Sequence, residues 1–451
     1  MKKLMKKLVT TGFATLAVWG LAGCQGASTN AVVNSASTVA STVANTGASA
    51  AAKNEATAVA ATAGVDERLA LVGSLFTGAE QYENFNRLKT IFPHQTIRAS
   101  SEPFEFPSGK PMTLPVSYSY GGKTLTGSDL LEETRTSALV VIQNGEILHQ
   151  GYWLTGGPDV NWMSMSVAKS FISALIGIAI EDGLIESVET PITTYVPELK
   201  GSAYDGVRIK DVLQMSSGAR WNEDYSDPES DIMRYGRVWA GAGSGSFDTF
   251  TATLTRERAP GTYNYYNSTD TQALGMLVSR ATSMTVSAYA EQELWQPLGM
   301  QNDAYWIADK EGVEMAAGGL QVTALDYAKL GQLYLQKGKW NGEQIVPKRW
   351  VADSLVADGP HLKAEAHPEY PMGYGYQWWL PVREETNASN EEPEFAAIGV
   401  YNQFIYIDPA RELVIVKLSA NPQYGLTNDE SSYREFETLE YFRAIGAQFD
   451  K

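Results

Sequence analysis

Ser166 and Lys169 stand three residues apart in Ser166-Val167-Ala168-Lys169, at the opening of a long apolar stretch. On a helix, positions three apart share a face, so this spacing puts the lysine amine beside the serine hydroxyl. Burial would lower the lysine toward a usable base, and the amides and dipole of the helix N-terminus would favour an oxyanion developing on an attacked carbonyl. The pair predicts a serine nucleophile with a lysine activator. The same four residues also fit a helix-capping serine followed by a solvated lysine, and the tetrapeptide alone does not choose between the two.

The elements that must position this pair can be read around it. Ser166 to Asp182 is apolar or small almost all round and is followed by Gly183, which predicts a buried helix with a glycine C-cap. It follows a predicted hairpin, Ala138–Ile142 and Glu146–Trp153, joined across Gln143-Asn144-Gly145. Arg208–Met215 and Thr271–Arg280 read as short helices and Leu325–Gln336 as an amphipathic one. Phe395–Ile407 and Glu412–Leu418 read as two strands joined by an Asp408-Pro409 turn. Strands near both ends and helices between them predict an α+β fold, an antiparallel sheet flanked by helices with an inserted helical lobe. The hydrolase-sized unit spans 65–451, with a sheet lobe at about 65–200 and 311–451 and a helical lobe at about 201–310.

Composition excludes other classes. The 451 residues are 44% hydrophobic and 11% aromatic, which is incompatible with a wholly disordered chain or a collagen-like fibre. A formal net charge of −17 argues against a nucleic-acid partner, because phosphate binding needs a cationic surface. The single cysteine, Cys24, allows no internal disulfide. The four histidines (His94, His149, His361, His367) fall outside every catalytic pattern found, and no Gly-x-Ser-x-Gly elbow, His-Glu-x-x-His pair, phosphate loop or dinucleotide fingerprint occurs. The expectation is chemistry without metal or cofactor.

The N-terminus has its own pattern. Residues 1–23 hold four lysines (Lys2, Lys3, Lys6, Lys7), no acid and an apolar run from Leu8 to Leu21, as in a secretory signal peptide. Leu21-Ala22-Gly23-Cys24 resembles the lipobox of bacterial lipoproteins. That resemblance implies cleavage before Cys24, lipidation of its thiol and export to a membrane surface, with Gln25 in the next position implying the outer membrane in a Gram-negative cell. Residues 24–64, nearly all Ala, Ser, Thr, Val, Asn and Gly, read as a flexible tether.

About 100 residues after Ser166 comes Pro260-Gly261-Thr262-Tyr263-Asn264-Tyr265-Tyr266-Asn267-Ser268, followed by Leu274-Gly275. Here the chain resembles the serine β-lactamase and penicillin-binding-protein superfamily, in its class C and esterase-like branch. Met215-Ser216-Ser217-Gly218, Pro297-Leu298-Gly299-Met300, Ala317-Gly318-Gly319-Leu320 and Tyr374-Gly375-Tyr376-Gln377-Trp378-Trp379 extend the resemblance over some 300 residues. It implies that Tyr266 is the motif tyrosine and Ser268 its polar companion, the phenol losing its proton readily beside Lys169 and relaying protons to the leaving group.

The superfamily's pocket strand, often Lys-Thr-Gly, corresponds here to Ala397-Ile398-Gly399-Val400. Gly399 would allow close approach of backbone, and the Val400 and Ser166 amides would form an oxyanion hole. The strand lysine that recognises a penicillin or peptide carboxylate is missing. Ala-Ile-Gly followed by Tyr401-Asn402-Gln403, together with Trp221-Asn222-Glu223-Asp224-Tyr225, is most similar to 6-aminohexanoate-dimer hydrolases, which implies that Tyr225 closes over an amide substrate. Trp162, Trp221, Trp239, Trp378 and Tyr401 are candidates to wall an apolar pocket. The expected activity is hydrolysis of a small ester or amide through an acyl-enzyme on Ser166. The alternatives are a β-lactamase or D-alanyl-D-alanine carboxypeptidase acting on peptidoglycan-type substrates, and a non-catalytic surface binding lipoprotein.

Overall fold

The computed structural model describes residues 58–243, 245–382 and 393–450. The signal segment, Cys24 and most of the tether lie outside the described residues. The folded part starts before the predicted boundary at 65: Val59 already makes a two-way backbone pair with His94 (2.8 and 3.1 Å), so residues 58–64 belong to the domain. A short β-forming stretch beside an open strand edge is enough to recruit chain whose composition reads as linker.

A seven-stranded antiparallel sheet forms the backbone of the domain. Its strands run in the order Met372–Tyr374, Trp379–Pro381, Phe395–Gly399, Gln403–Asp408, Leu413–Ser419, Thr136–Gln143 and Glu146–Tyr152. The hairpin predicted across Asn144-Gly145 is present, and both residues take the left-handed backbone (φ 53° and 77°) that such a turn needs. A smaller four-stranded sheet orders His94–Ile97, Ala304–Ile307, Leu320–Val322 and Trp162–Met163. Between 201 and 303 the regular elements are helices, and the strand Ala304–Ile307 returns the chain to a sheet slightly before the predicted lobe boundary at 310.

Two sequence readings needed correction. Phe395–Ile407 is not one strand: it breaks at Val400, Tyr401 and Asn402, so this region contributes three strands with Leu413–Ser419. Tyr401 and Asn402 both adopt left-handed backbone (φ 66° and 71°), and Asn402 is fully buried with its amide shared among four groups. Its nitrogen donates to the Tyr433 and Arg434 carbonyls, and its oxygen accepts from Lys417 Nζ and Thr438 Oγ1 (3.0 Å). The turn is therefore fixed from the far side of the sheet, by partners that period-two patterning cannot reveal. The helix Ala324–Leu335 likewise has no solvent face, since it packs on the large sheet and buries the ion pair of Lys329 and Asp326 at 2.9 Å.

The helix Ala168–Glu181 occupies the centre, with every residue from Ala168 to Ala179 buried. Gly177 lets Trp350 rest on its backbone; a Cβ there would lie 2.4 Å from the indole. The helix stops where Gly183 turns left-handed (φ 71°), as its C-cap position predicts. No helix among the described residues is long and apolar enough to cross a membrane.

Candidate active site

Ser166 sits on a sharp turn between two sheets. The strand Trp162–Met163 leads in, a 3-10 turn (Met165–Val167) carries the serine, and the α-helix begins at Ala168. Met165 is forced into the left-handed region (φ 45°), a strained conformation for a non-glycine residue, and Ser164 holds it there. The Ser164 hydroxyl shares its one proton between the Met165 and Gly318 carbonyls (2.9 and 3.2 Å), and its amide donates to Leu320 O (2.8 Å). From the opposite side the end of the strand Phe395–Gly399 presses against the turn. A Cβ on Gly399 would lie 2.7 Å from Ser164 O and 2.9 Å from Ser166 N. Only glycine fits there, and its absence of side chain brings the Val400 backbone alongside the nucleophile.

The lysine reaches the serine. Lys169 Nζ donates to Ser166 Oγ (3.0 Å), Ser268 Oγ (3.1 Å) and the Ala317 carbonyl (2.7 Å). With Lys169 only 2% exposed, burial lowers its amine from 10.5 to about 8, partly opposed by the negative charge of Glu223. Ser268 opens the helix Ser268–Thr282, for which the Asn267 side chain is the N-cap. Glu223 then ties three parts of the site together. Its Oε1 accepts from Ser268 Oγ (2.6 Å) and the Tyr225 hydroxyl (2.7 Å), and its Oε2 accepts from Ser268 N (2.8 Å) and Trp221 Nε1 (2.7 Å). Sequence reading quoted Glu223 but assigned it nothing; its signal was the two-residue spacing to Tyr225, which puts both side chains on one side of an extended segment. The Ala317 carbonyl was missed too, because a backbone acceptor leaves no residue-type signature.

Tyr266 packs its ring parallel to Trp379 at 5.3 Å, with Tyr374 edge-on at 6.2 Å and Lys169 Nζ 5.2 Å from the ring centroid. The expected direction of its acidity is reversed. Burial, with negative charge at Glu223, pushes the phenol well above 10, while its hydrogen bond with Ser166 acts weakly the other way. Tyr266 therefore keeps its proton while Lys169 readily gives its own up, and the two environments push the two groups into acid and base roles.

The remaining predicted residues divide. Val400, Tyr225, Ser268 and Ser166 line one narrow apolar cavity, to which Trp239 also contributes. Trp378 does not: fully buried, it packs against Tyr334 (4.5 Å) and Phe395 (5.3 Å) in the core, and its neighbour Trp379 is the one that meets Tyr266. Alternation along the chain decides which of two adjacent tryptophans faces the site, and the repeated letter conceals the register. Trp162 donates to Ser419 O inside the core, and Tyr401 supports the cavity from behind. Among the described residues, no group of three or more His, Cys, Asp or Glu side chains could hold a metal ion.

The Beta-lactamase family profile matches residues 129–439. The 6-aminohexanoate-dimer hydrolase of Paenarthrobacter ureafaciens is 35% identical over 301 residues, covering 65% of this chain and 74% of the relative. A solved structure assigned as a 6-aminohexanoate-dimer hydrolase from Bacillus anthracis superposes with a TM-score of 0.70 at 22% identity, covering 81% of this chain and 93% of its own. EstCE1, a hydrolase with promiscuous acyltransferase activity, superposes with a TM-score of 0.57 at 15% identity over 71% of this chain and 96% of its own. The two structures speak to the fold, and the profile and the sequence relative to descent: the chain belongs to the Beta-lactamase family, as a serine-hydrolase-family enzyme similar to 6-aminohexanoate-dimer hydrolases.

Proposed function

We propose that the chain hydrolyses a small ester or amide through an acyl-enzyme on Ser166. The observation that carries this reading is the contact of 3.0 Å between Lys169 Nζ and Ser166 Oγ, made by an amine whose burial favours its neutral form. The neutral amine takes the Ser166 proton as the serine oxygen bonds to the carbonyl carbon. The Ser166 and Val400 amides hold the resulting oxyanion. Collapse breaks the bond to the leaving oxygen or nitrogen, which takes the Tyr266 proton; the ammonium of Lys169 returns a proton to the phenol. Water deprotonated by the same pair then attacks the acyl-enzyme, and the Ser166 oxygen leaves with its proton restored. Tyr225, anchored on Glu223, faces the bound group, and Trp379 fixes Tyr266.

An ester or amide is favoured over a β-lactam because, among the described residues, no side chain lining the cavity beside Ser166 is cationic and able to hold the carboxylate of a penicillin or peptide. Purified protein is expected to turn over p-nitrophenyl acetate and butyrate and to leave nitrocefin intact, with Ser166→Ala inactive on all three. Nitrocefin turnover without ester turnover would favour the peptidoglycan-directed alternative, and no turnover together with no covalent labelling the binding protein.

The pH dependence tests the base. Activity needs neutral Lys169, so kcat/KM rises with pH through a limb near about 8. Glu223 holds that value up by its charge, so Glu223→Gln moves the limb toward lower pH; a limb that stays or moves upward would contradict this assignment. For residues 1–64 the proposal is export and anchoring through lipid on Cys24, which labelling with a radioactive fatty acid in the wild type and in Cys24→Ala would test.

A further inference from the structure

The cavity beside Ser166 is roofed by chain outside the stretch that matches the family profile. The N-terminal helix Val65–Ser74 and the residues after it place Val72, Leu75 and Phe76 in its wall, facing Ile232, Met233 and Gly236 of the segment that includes the helix Asp231–Trp239. Each part of this roof is held. Arg68 donates to the Ala240 carbonyl (3.0 Å) and to Ala63 O (2.9 Å), pinning the N-terminal helix to the end of the facing one. Phe76 takes a left-handed backbone (φ 61°) that turns its ring inward between Tyr225 (4.4 Å) and Tyr401 (5.3 Å). Gly425 leaves the room: a Cβ there would be 2.4 Å from the Phe76 ring. On the other wall, a Cβ on Gly236 would lie 3.1 Å from Val72 Cγ1.

The enclosed space is about 60 Å³. A space this small accepts only a short chain. Its walls are mostly apolar, among the described residues that line it none is charged, and Ser166, Ser268 and Val400 are part of the lining. Tyr266, which would protonate the leaving group, packs on Tyr374 and Trp379 outside this lining. A group bonded to the Ser166 oxygen would therefore place its acyl chain in the cavity and its leaving group toward Tyr266.

We propose that Phe76, Val72 and Gly236 are specificity-determining residues that restrict the acyl group to a short, uncharged chain. The proposal rests on the reading of Ser166 as nucleophile. Specificity would then be set by the N-terminal extension together with the facing helix, while the chemistry is set elsewhere in the family core.

The test compares kcat/KM for p-nitrophenyl acetate, butyrate and octanoate in the wild type, Phe76→Ala and Gly236→Ala. Ratios between substrates are independent of how much of a variant is correctly folded. Phe76→Ala removes an aromatic ring from the wall and is expected to raise the octanoate-to-butyrate ratio by about 10-fold or more. Gly236→Ala adds a methyl group to the opposite wall, in a helix that tolerates alanine, and is expected to lower the butyrate-to-acetate ratio several-fold. Opposite shifts from the two variants cannot arise from general loosening. Ester turnover with both ratios unchanged would overturn the proposal while leaving the nucleophile in place. Absence of ester turnover and of Ser166 labelling by a fluorophosphonate in the wild type would overturn the nucleophile reading and the proposal with it.

Discussion

Lys169→Met is expected to lose about 10³-fold or more in kcat/KM, as much as Ser166→Ala, because nucleophile and base act as one unit. Methionine keeps the volume of the stem but accepts no proton from Ser166. The same substitution should leave stability unharmed. Burial lowers Lys169 from 10.5 to about 8, so between those values the folded state binds fewer protons than the unfolded one. Stability therefore rises with pH across that window, and below about pH 8 the full penalty of burying the amine applies. At about 1.4 kcal/mol per unit the penalty is about 3 kcal/mol. Removing it offsets the roughly 1 kcal/mol lost with each of the three hydrogen bonds that Lys169 makes. Denaturant unfolding near neutral pH should give a midpoint no lower than that of the wild type, for an enzyme with almost no activity. A fall of several kcal/mol would contradict this account of the lysine.

Gly399→Ala carries the second large effect. Its Cβ would stand 2.7 Å from Ser164 O, 2.9 Å from Ser166 N and 3.2 Å from Met165 Cβ. Two of these are backbone atoms of a turn already strained at Met165, so relief must come from moving the strand end, and Val400 moves with it. Loss of one aligned oxyanion donor costs about 10²-fold in kcat. Overpacking of this kind costs about 1–3 kcal/mol in stability. KM should change less than kcat, since Val400 is only one of the residues that line the acyl cavity. An equal rise in KM with unchanged kcat would mean that Val400 serves only in binding.

How far the sequence reached depends on the range of the interaction involved. Ser166 and Lys169 are three residues apart, so helix periodicity already allows their contact, and the motifs farther along the chain select it. The Gly183 C-cap and the Asn144-Gly145 turn are equally local. Tyr266 was legible only through its motif, and its acidity could not be read from neighbours in the chain, because Trp379, Tyr374 and Glu223 meet it from distant segments. The same limit explains Trp378, whose place in the core follows from register against Phe395. It also explains Asn402, whose four partners come from Lys417, Tyr433, Arg434 and Thr438. The N-terminal roof was the least legible part: Val72, Leu75 and Phe76 look like ordinary helix and loop apolars until tertiary packing sets them over the nucleophile.

The central claim is that Ser166 becomes acylated. Incubation of the protein with an alkyl fluorophosphonate, followed by intact mass and peptide mapping, tests it most directly. A single adduct on the peptide containing Ser166, absent in Ser166→Ala and strongly slowed in Lys169→Met, is the predicted result. No adduct, or one on another residue that persists in Ser166→Ala, would contradict the account.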